Sequence, residues 1–324
     1  MLDWTPFVDL VKRHRRFLVT THVRPDPDGL GSQLGLAEAL QHLGKEVRMV
    51  IASTYPPRYD FLNPDKRIKR FTPPGDDLRD VEVVIVVDTG TWNQLGEFGP
   101  FLKSLSAKKV VIDHHPTQDD LGAVRFVDTS AEASGRLVYE AICALGVPVT
   151  PIMASYLFSA VSTDTGWFRH SNTTAETMFL SGKLIQAGAN PTELYNQIYE
   201  KSTLPRKKLM GLVLERLQVV ADGRVVCSEI RRTDYAATGA IPQDTEDLVN
   251  HLRGLAGLEV LFMEQPEGGI KVSFRSDRAD VGKVAESFGG GGHRLASGAV
   301  LQGNLEDAKK RVLDAVIAAL SNPT

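Results

Sequence analysis

Residues 81–90 read VEVVIVVDTG. From Val83 to Val87 every residue is apolar and β-branched, so the segment has no polar face. Such a run suits a strand buried on both sides of a parallel sheet, where helices cover both faces. KKVVIDHHP at 108–116 repeats the pattern, RFLVTTH at 16–22 is a third strand, and EVRMVIA at 46–52 a fourth. Helical spacing lies between them. From Gly31 to Leu43 the apolar positions are Leu34, Ala37, Leu40 and Leu43, and Gly44 marks the stop. Residues 131–145, 151–161 and 174–187 also read as helices, as does the amphipathic start, MLDWTPFVDLVKRHRR. This alternation predicts an α/β domain with a mainly parallel sheet flanked by helices.

The character changes near residue 190. Residues 191–210 read as a polar helical linker interrupted by Pro205. Beyond it, LQVVADGRVVCSEI reads as strand–turn–strand about Asp222-Gly223. A helix follows at 244–255, then two strands in GLEVLFMEQPEGGIKVSFRS, a helix at 281–288 and a last one at 305–320. Hairpins with helices predict a smaller α+β domain. The expected organisation is therefore a domain over 1–190, a linker over 191–210 and a second domain over 211–324.

The bulk numbers are those of a globular protein: 324 residues, 42% hydrophobic, 24% charged, net charge −3. That balance disfavours a protein that coats long nucleic acid, which needs many Lys and Arg to neutralise phosphates. The basic pieces Lys12, Arg13, Arg15, Arg16 and Arg206, Lys207, Lys208 read as solvated helix faces. Cys143 and Cys227 read as small core residues without a disulfide. Neither a signal peptide nor a membrane span is expected, and a cytoplasmic location is the default. A homodimer is allowed and not encoded legibly.

Four short pieces carry the chemistry. They are His22, Asp26 and Asp28 in THVRPDPDG, Asp88 in VVDTG, His114 in IDHHP, and Asp164 in STDTG. Singly each has a plain explanation, since Pro and Gly make Asp-Pro-Asp-Gly a common turn and Asp-Thr-Gly ends strands. The first three follow or end strand-like runs and Asp164 follows an apolar helix-like stretch; jointly they fall at expected sheet-edge positions, where open α/β sheets place their sites. Four carboxylates do not sit together without compensating charge, so divalent cations are expected. One ion would take His22, Asp26 and Asp88, and the other Asp28, Asp88, His114 and Asp164. Such a pair, about 3.5–4 Å apart, clamps a phosphate and activates a hydroxide. Carboxylates with imidazoles suit Mn²⁺ best, with Mg²⁺, Co²⁺ or Fe²⁺ as alternatives. His115 is then left to contact the scissile phosphate or protonate the leaving oxygen.

These motifs resemble the DHH phosphoesterase family, named for the triplet Asp113-His114-His115. The first motif matches as His22-x-x-Pro25-Asp26-x-Asp28-x-x-Gly31-Ser32, the second as Asp88 and the fourth as Asp164. The second domain resembles the DHHA1 module through Phe274-Arg275-Ser276 and Gly289-Gly290-Gly291-Gly292-His293. Length and domain order resemble the NrnA-type subgroup, and the larger RecJ-type exonucleases less. The resemblance implies hydrolysis of RNA of roughly 2–5 nucleotides and of 3′-phosphoadenosine 5′-phosphate, with Asp88 and His115 catalytic. Arg275, Ser276, Gly290, Gly291, Gly292, His293 and Arg169 would bind substrate, with His170 as a further contact. A glycine run lets backbone N–H groups approach an anion, and Arg275 offers a planar fork for phosphate. A cleft between the domains would favour short substrates. The rival readings are a cyclic-dinucleotide phosphodiesterase, a catalytically silent nucleotide-binding regulator, and a pyrophosphatase or polyphosphatase.

Overall fold

The computed structural model describes residues 2–321, with the side chains of His293 and Ser321 outside the described set. The chain forms two compact units, Met1–Lys201 and Ser202–Thr324.

The first unit runs α1 (Thr5–Arg13), β1 (Arg16–Thr20), α2 (Pro27–His42), β2 (Glu46–Ile51), β3 (Ile68–Arg70), β4 (Val83–Val87), α3 (Phe98–Ser104), β5 (Lys108–Asp113) and β6 (Val124–Val127). It continues with α4 (Ser134–Ala144), α5 (Pro151–Asp164), α6 (Ala175–Gln186) and α7 (Pro191–Tyr195). The six strands make one parallel sheet in the order β3-β2-β1-β4-β5-β6. The order reverses between β1 and β4, and ligands of open α/β sheets bind outside the strand ends at that point. β4 is buried throughout, which explains its unbroken apolar run. Val83, Ile85 and Val87 pack with α2, α4 and α5, while Val84 and Val86 pack with Phe98 and Leu102 of α3 on the other face.

The second unit runs α8 (Leu204–Glu215), β7 (Gln218–Val220), β8 (Val225–Ile230), α9 (Arg232–Thr238), β9 (Leu258–Glu264), β10 (Ile270–Ser276), α10 (Val281–Ser287), β11 (Gly291–His293), β12 (Ala296–Leu301) and α11 (Leu305–Ser321). Its sheet has the order β11-β12-β10-β9-β8-β7, antiparallel except for the parallel β8–β9 pair. One face carries Val260, Phe262, Val272 and Phe274 against α10 and α11. The other carries Val226, Leu261 and Met263 against α8 and Leu248, Val249 and Leu252. Among the described residues no helix is long and apolar enough to cross a membrane.

Several local expectations change. α2 begins at Pro27 rather than Gly31, because the Asp26 carboxylate caps it by accepting from Asp28 N and Gly29 N. The expected helix at 244–255 is instead two 3₁₀ turns, Pro242–Thr245 and Leu248–Leu252, separated by Asp247 at φ +61°. A residue in the left-handed region cannot continue a right-handed helix. Pro205 does not interrupt a helix; it sits in the first turn of α8, where its missing N–H costs nothing. The segment 191–210 thus falls into α7 of one unit and the start of α8 of the other. Helix α9 was not foreseen. Cys143 is exposed on the last turn of α4, not in the core, while Cys227 is buried; both are free.

Candidate metal centre

The switch point collects the acidic pieces. His22 follows β1, Asp26 and Asp28 open α2, Asp88 follows β4, His114 follows β5, and Asp164 ends α5. Ligand atoms of His22, Asp26 and Asp88 lie within 4.8 Å of one another, and so do those of Asp28, His114 and Asp164. Asp88 stands between the two groups. Its Oδ2 is 3.4 Å from His22 Nε2 and its Oδ1 is 3.6 Å from His114 Nε2. His114 Nε2 is also 3.8 Å from Asp28 Oδ2 and 3.7 Å from Asp164 Oδ2.

Both rings are turned by main-chain carbonyls. His22 Nδ1 lies 2.9 Å from Val23 O, and His114 Nδ1 lies 3.2 Å from Ala131 O. A carbonyl only accepts, so each Nδ1 carries the proton and each Nε2 lone pair faces the carboxylates. Asp28 is locked by the start of α4: Ser134 N and Gly135 N donate to its two oxygens at 2.8 and 2.9 Å. Ser134 Oγ donates to Asp88 Oδ1 at 2.9 Å. Asp88 itself holds φ +61°, an uncommon conformation for a non-glycine residue and one often stored at functional sites. Gly29 keeps the cradle open. A Cβ there would stand 2.5 Å from Thr21 Oγ1, 3.1 Å from His22 Nε2 and 3.3 Å from Asp88 Oδ2.

The electrostatics describe a site short of positive charge. Burial, then the neighbouring Asp28, pushes Asp88 and Asp164 well above the usual carboxylate range. Burial also raises Asp28. Burial works against the charged forms of His22 and Asp26, but their mutual attraction outweighs it. His22 is held well above its ordinary value and Asp26 is lowered to about 2. Divalent cations would offset the charge of such a cluster. The donor set of carboxylate oxygens and imidazole nitrogens, without a thiolate, fits hard to borderline divalent ions.

His115 lies beside this cluster. Its Nδ1 is 2.8 Å from Asp113 Oδ1, and its ring meets that of His114 edge-on. Asp113 is fully buried; its own desolvation is outweighed by His115 and Gln118, which hold it below the usual range. Gln118 Nε2 donates to Asp113 Oδ2 at 2.5 Å, and Gly90 is glycine because a Cβ would strike that amide. Arg169 and His170 are exposed. Arg169 Nε donates to Gly166 O, and His170 Nδ1 approaches Asp164 O at 3.4 Å.

In the second unit the substrate candidates separate. Arg275 is partly buried on β10; its Nε donates to Asn250 Oδ1 at 2.9 Å and its Nη1 to Phe274 O at 2.9 Å. Ser276 is buried, and its hydroxyl is spent on Gly257 O, Arg278 N and Ala279 N, a structural task. The glycine run is partly a strand, β11. Gly290 and Gly292 are glycine for packing: a Cβ would stand 2.2 Å from Gly298 O and 2.6 Å from Ser297 Cα respectively. Only Gly291 and Gly289 face open space. The backbones of His293 and Arg275 both register with Ala296, one strand to either side; the side chain of His293 lies outside the described residues. Sequence reasoning missed Ser134, Gly135, Gln118 and Asn250. None sits in a motif, and each acts only by folding onto a motif residue.

Residues 16–161 match the model of the DHH family's N-terminal domain, and residues 222–322 match the DHHA1 domain. A bifunctional oligoribonuclease and PAP phosphatase NrnA from Bacillus subtilis is 30% identical, over 91% of this chain and 92% of its own. The chain belongs to the DHH family. The protein of the same description from Thermus thermophilus, another DHH relative, is 32% identical over 92% of this chain and 88% of its own. An exopolyphosphatase-related protein from Bacteroides fragilis shares the DHH fold, with TM-score 0.93 at 24% identity over 98% of this chain and 97% of that one.

Proposed function

We propose that this DHH protein is a metal-dependent phosphohydrolase of short nucleotidic substrates, RNA of roughly 2–5 nucleotides and 3′-phosphoadenosine 5′-phosphate. One observation carries the reading: a single buried carboxylate, Asp88, divides its two oxygens between two carboxylate–imidazole groups. That arrangement has little use except to hold two cations against one another. His22, Asp26 and Asp88 would hold one; Asp28, His114 and Asp164, with Asp88, the other. Divalent ions bound there, Mn²⁺ by the ligand set, offset the carboxylate charge and supply Lewis acidity to a phosphate ester and its attacking water.

The chain's own residues do the rest. Ser134 and Gly135 fix Asp28 and Asp88, so the acceptors are placed before substrate arrives. Asp113 accepts from His115 Nδ1 and fixes the ring, so that a protonated His115 would present Nε2–H to the phosphate or to the leaving oxygen. In the DHHA1 domain Asn250 orients the Arg275 fork for a substrate phosphate. The names of the NrnA relatives support the substrate class.

The test is a substrate panel on purified protein with Mn²⁺ or Mg²⁺: pApA, longer oligoribonucleotides, phosphoadenosine phosphate, cyclic-di-AMP and inorganic pyrophosphate. Cleavage of pApA and phosphoadenosine phosphate, lost on chelation, is expected. Faster turnover of cyclic-di-AMP or pyrophosphate would reassign the substrate.

A further inference from the structure

Glu259 lies in the middle of the second unit's sheet, and nothing described above uses it. It is 1% exposed, and neither carboxylate oxygen has a hydrogen-bond partner among the described residues. On β9 it stands in direct register with Arg275 on β10 and with Val226 on β8. Cross-strand neighbours have Cβ atoms about 4.5–5.5 Å apart, well within reach of a glutamate and an arginine. Yet the two form no ion pair. The guanidinium is taken by Asn250 and the Phe274 carbonyl, and its Nη2 carries no hydrogen bond among the described residues. An unpaired buried carboxyl beside an arginine held elsewhere calls for an explanation.

We propose that Glu259 is a positioning residue that competes with the substrate phosphate for Arg275. In one state Glu259 is neutral and Arg275 stays on Asn250, presented to a phosphate. In the other Glu259 is ionised and draws the guanidinium inward onto itself. The inference rests on the reading of Arg275 as a phosphate grip. The charged groups around Glu259 are few. Arg253 and Asp277 pair with each other at 2.6 Å, Arg275 faces it from β10, and Val226 of β8 and Leu209 and Val213 of α8 present no charge to that layer. Burial pushes the Arg275 guanidinium below its ordinary value, and Asp247, which precedes the 3₁₀ turn that carries Asn250, works the other way. Burial raises Glu259 to about 7, so the exchange falls within the working pH range.

The test is steady-state hydrolysis of pApA by the full-length protein with Mn²⁺ between pH 6 and 8.5, with kcat and KM separated. In the parent, KM should rise about five-fold across that range; in Glu259→Gln it should stay level, while kcat follows the same profile in both. Asn250→Ala should raise KM in the parent background and much less in the Glu259→Gln background, because the competing acceptor is gone. Equal pH dependence of KM in parent and Glu259→Gln overturns the proposal. An Arg275→Ala protein with parental KM would instead remove the phosphate-grip reading beneath it. If Glu259→Gln does not fold, the Arg275 Nε–H resonance of the parent reads the same exchange. A shift with a midpoint near pH 7 supports it, and an unchanged resonance overturns it.

Discussion

Two sets of buried carboxyl groups in this protein are treated in opposite ways. At the edge of the parallel sheet, four carboxylates share two imidazoles, backbone donors and a serine hydroxyl, and both oxygens of Asp28 and of Asp88 are engaged. In the second sheet, Glu259 stands alone with both oxygens unpartnered, next to an arginine engaged elsewhere. The first pattern is a convergent set of acceptors that could hold metal ions. The second is a group whose charge is withheld. Burial raises Asp88 and Glu259 alike, so burial alone does not tell a ligand from a switch; the convergence of other donors does.

Asp88 is the best-connected of these carboxylates. Asp88→Asn keeps the shape and removes a charge shared by both ion groups. We expect hydrolysis to fall by about three orders of magnitude or more, with bound metal per chain reduced in elemental analysis. Near-parental turnover would end the two-ion reading. His115→Ala should cost about two orders of magnitude in kcat while the metal content holds, since His115 belongs to neither proposed ion group. A parallel loss of metal would make it a ligand instead.

Within the glycine run, stability separates the packed positions from the open ones. Gly290→Ala places a Cβ 2.2 Å from a backbone oxygen, whereas Gly291→Ala meets nothing within 4 Å. The first should destabilise the protein by about 1–3 kcal/mol and the second by less than about 0.5 kcal/mol in denaturant melts. A Gly291→Ala protein that keeps its stability but binds substrate poorly would show an anion nest at that residue.

Glu259 predicts a pH dependence of stability with a definite sign. Its carboxyl is raised from 4.5 to about 7 in the folded state. The folded protein therefore holds a proton that the unfolded chain releases, and stability falls as pH rises through that window and levels above it. The difference between parent and Glu259→Gln in urea melts should decline by on the order of 2 kcal/mol from pH 4.5 to 8. A pH-independent difference would mean that Glu259 is ionised in the folded protein too.

The carboxylate–imidazole cluster is legible because three of its residues follow parallel strands. His22, Asp88 and His114 each follow an apolar run, and strands in register deliver their ends to one edge. Three facts there were not legible: the helix N-cap made by Asp26, the φ of Asp88, and the donors from Ser134 and Gly135. In the second unit the sequence suggests an anion nest at the glycine run, and the structure adds that a Cβ at Gly290 or Gly292 would strike β12. The Ser276 hydroxyl accepts from Arg278 N and Ala279 N, which the motif alone does not show.

Sequence by itself determined the layered α/β plan, the family and the set of residues that meet at the switch point. Apolar periodicity and strand-end chemistry are local properties, and local properties are written in order along the chain. Tertiary structure alone decided which oxygen of Asp88 faces which imidazole, why Gly290 admits no side chain, and that Glu259 lies opposite Arg275. Those depend on register and on contacts between segments far apart in the chain, where a shift of one residue turns every side chain to the other face.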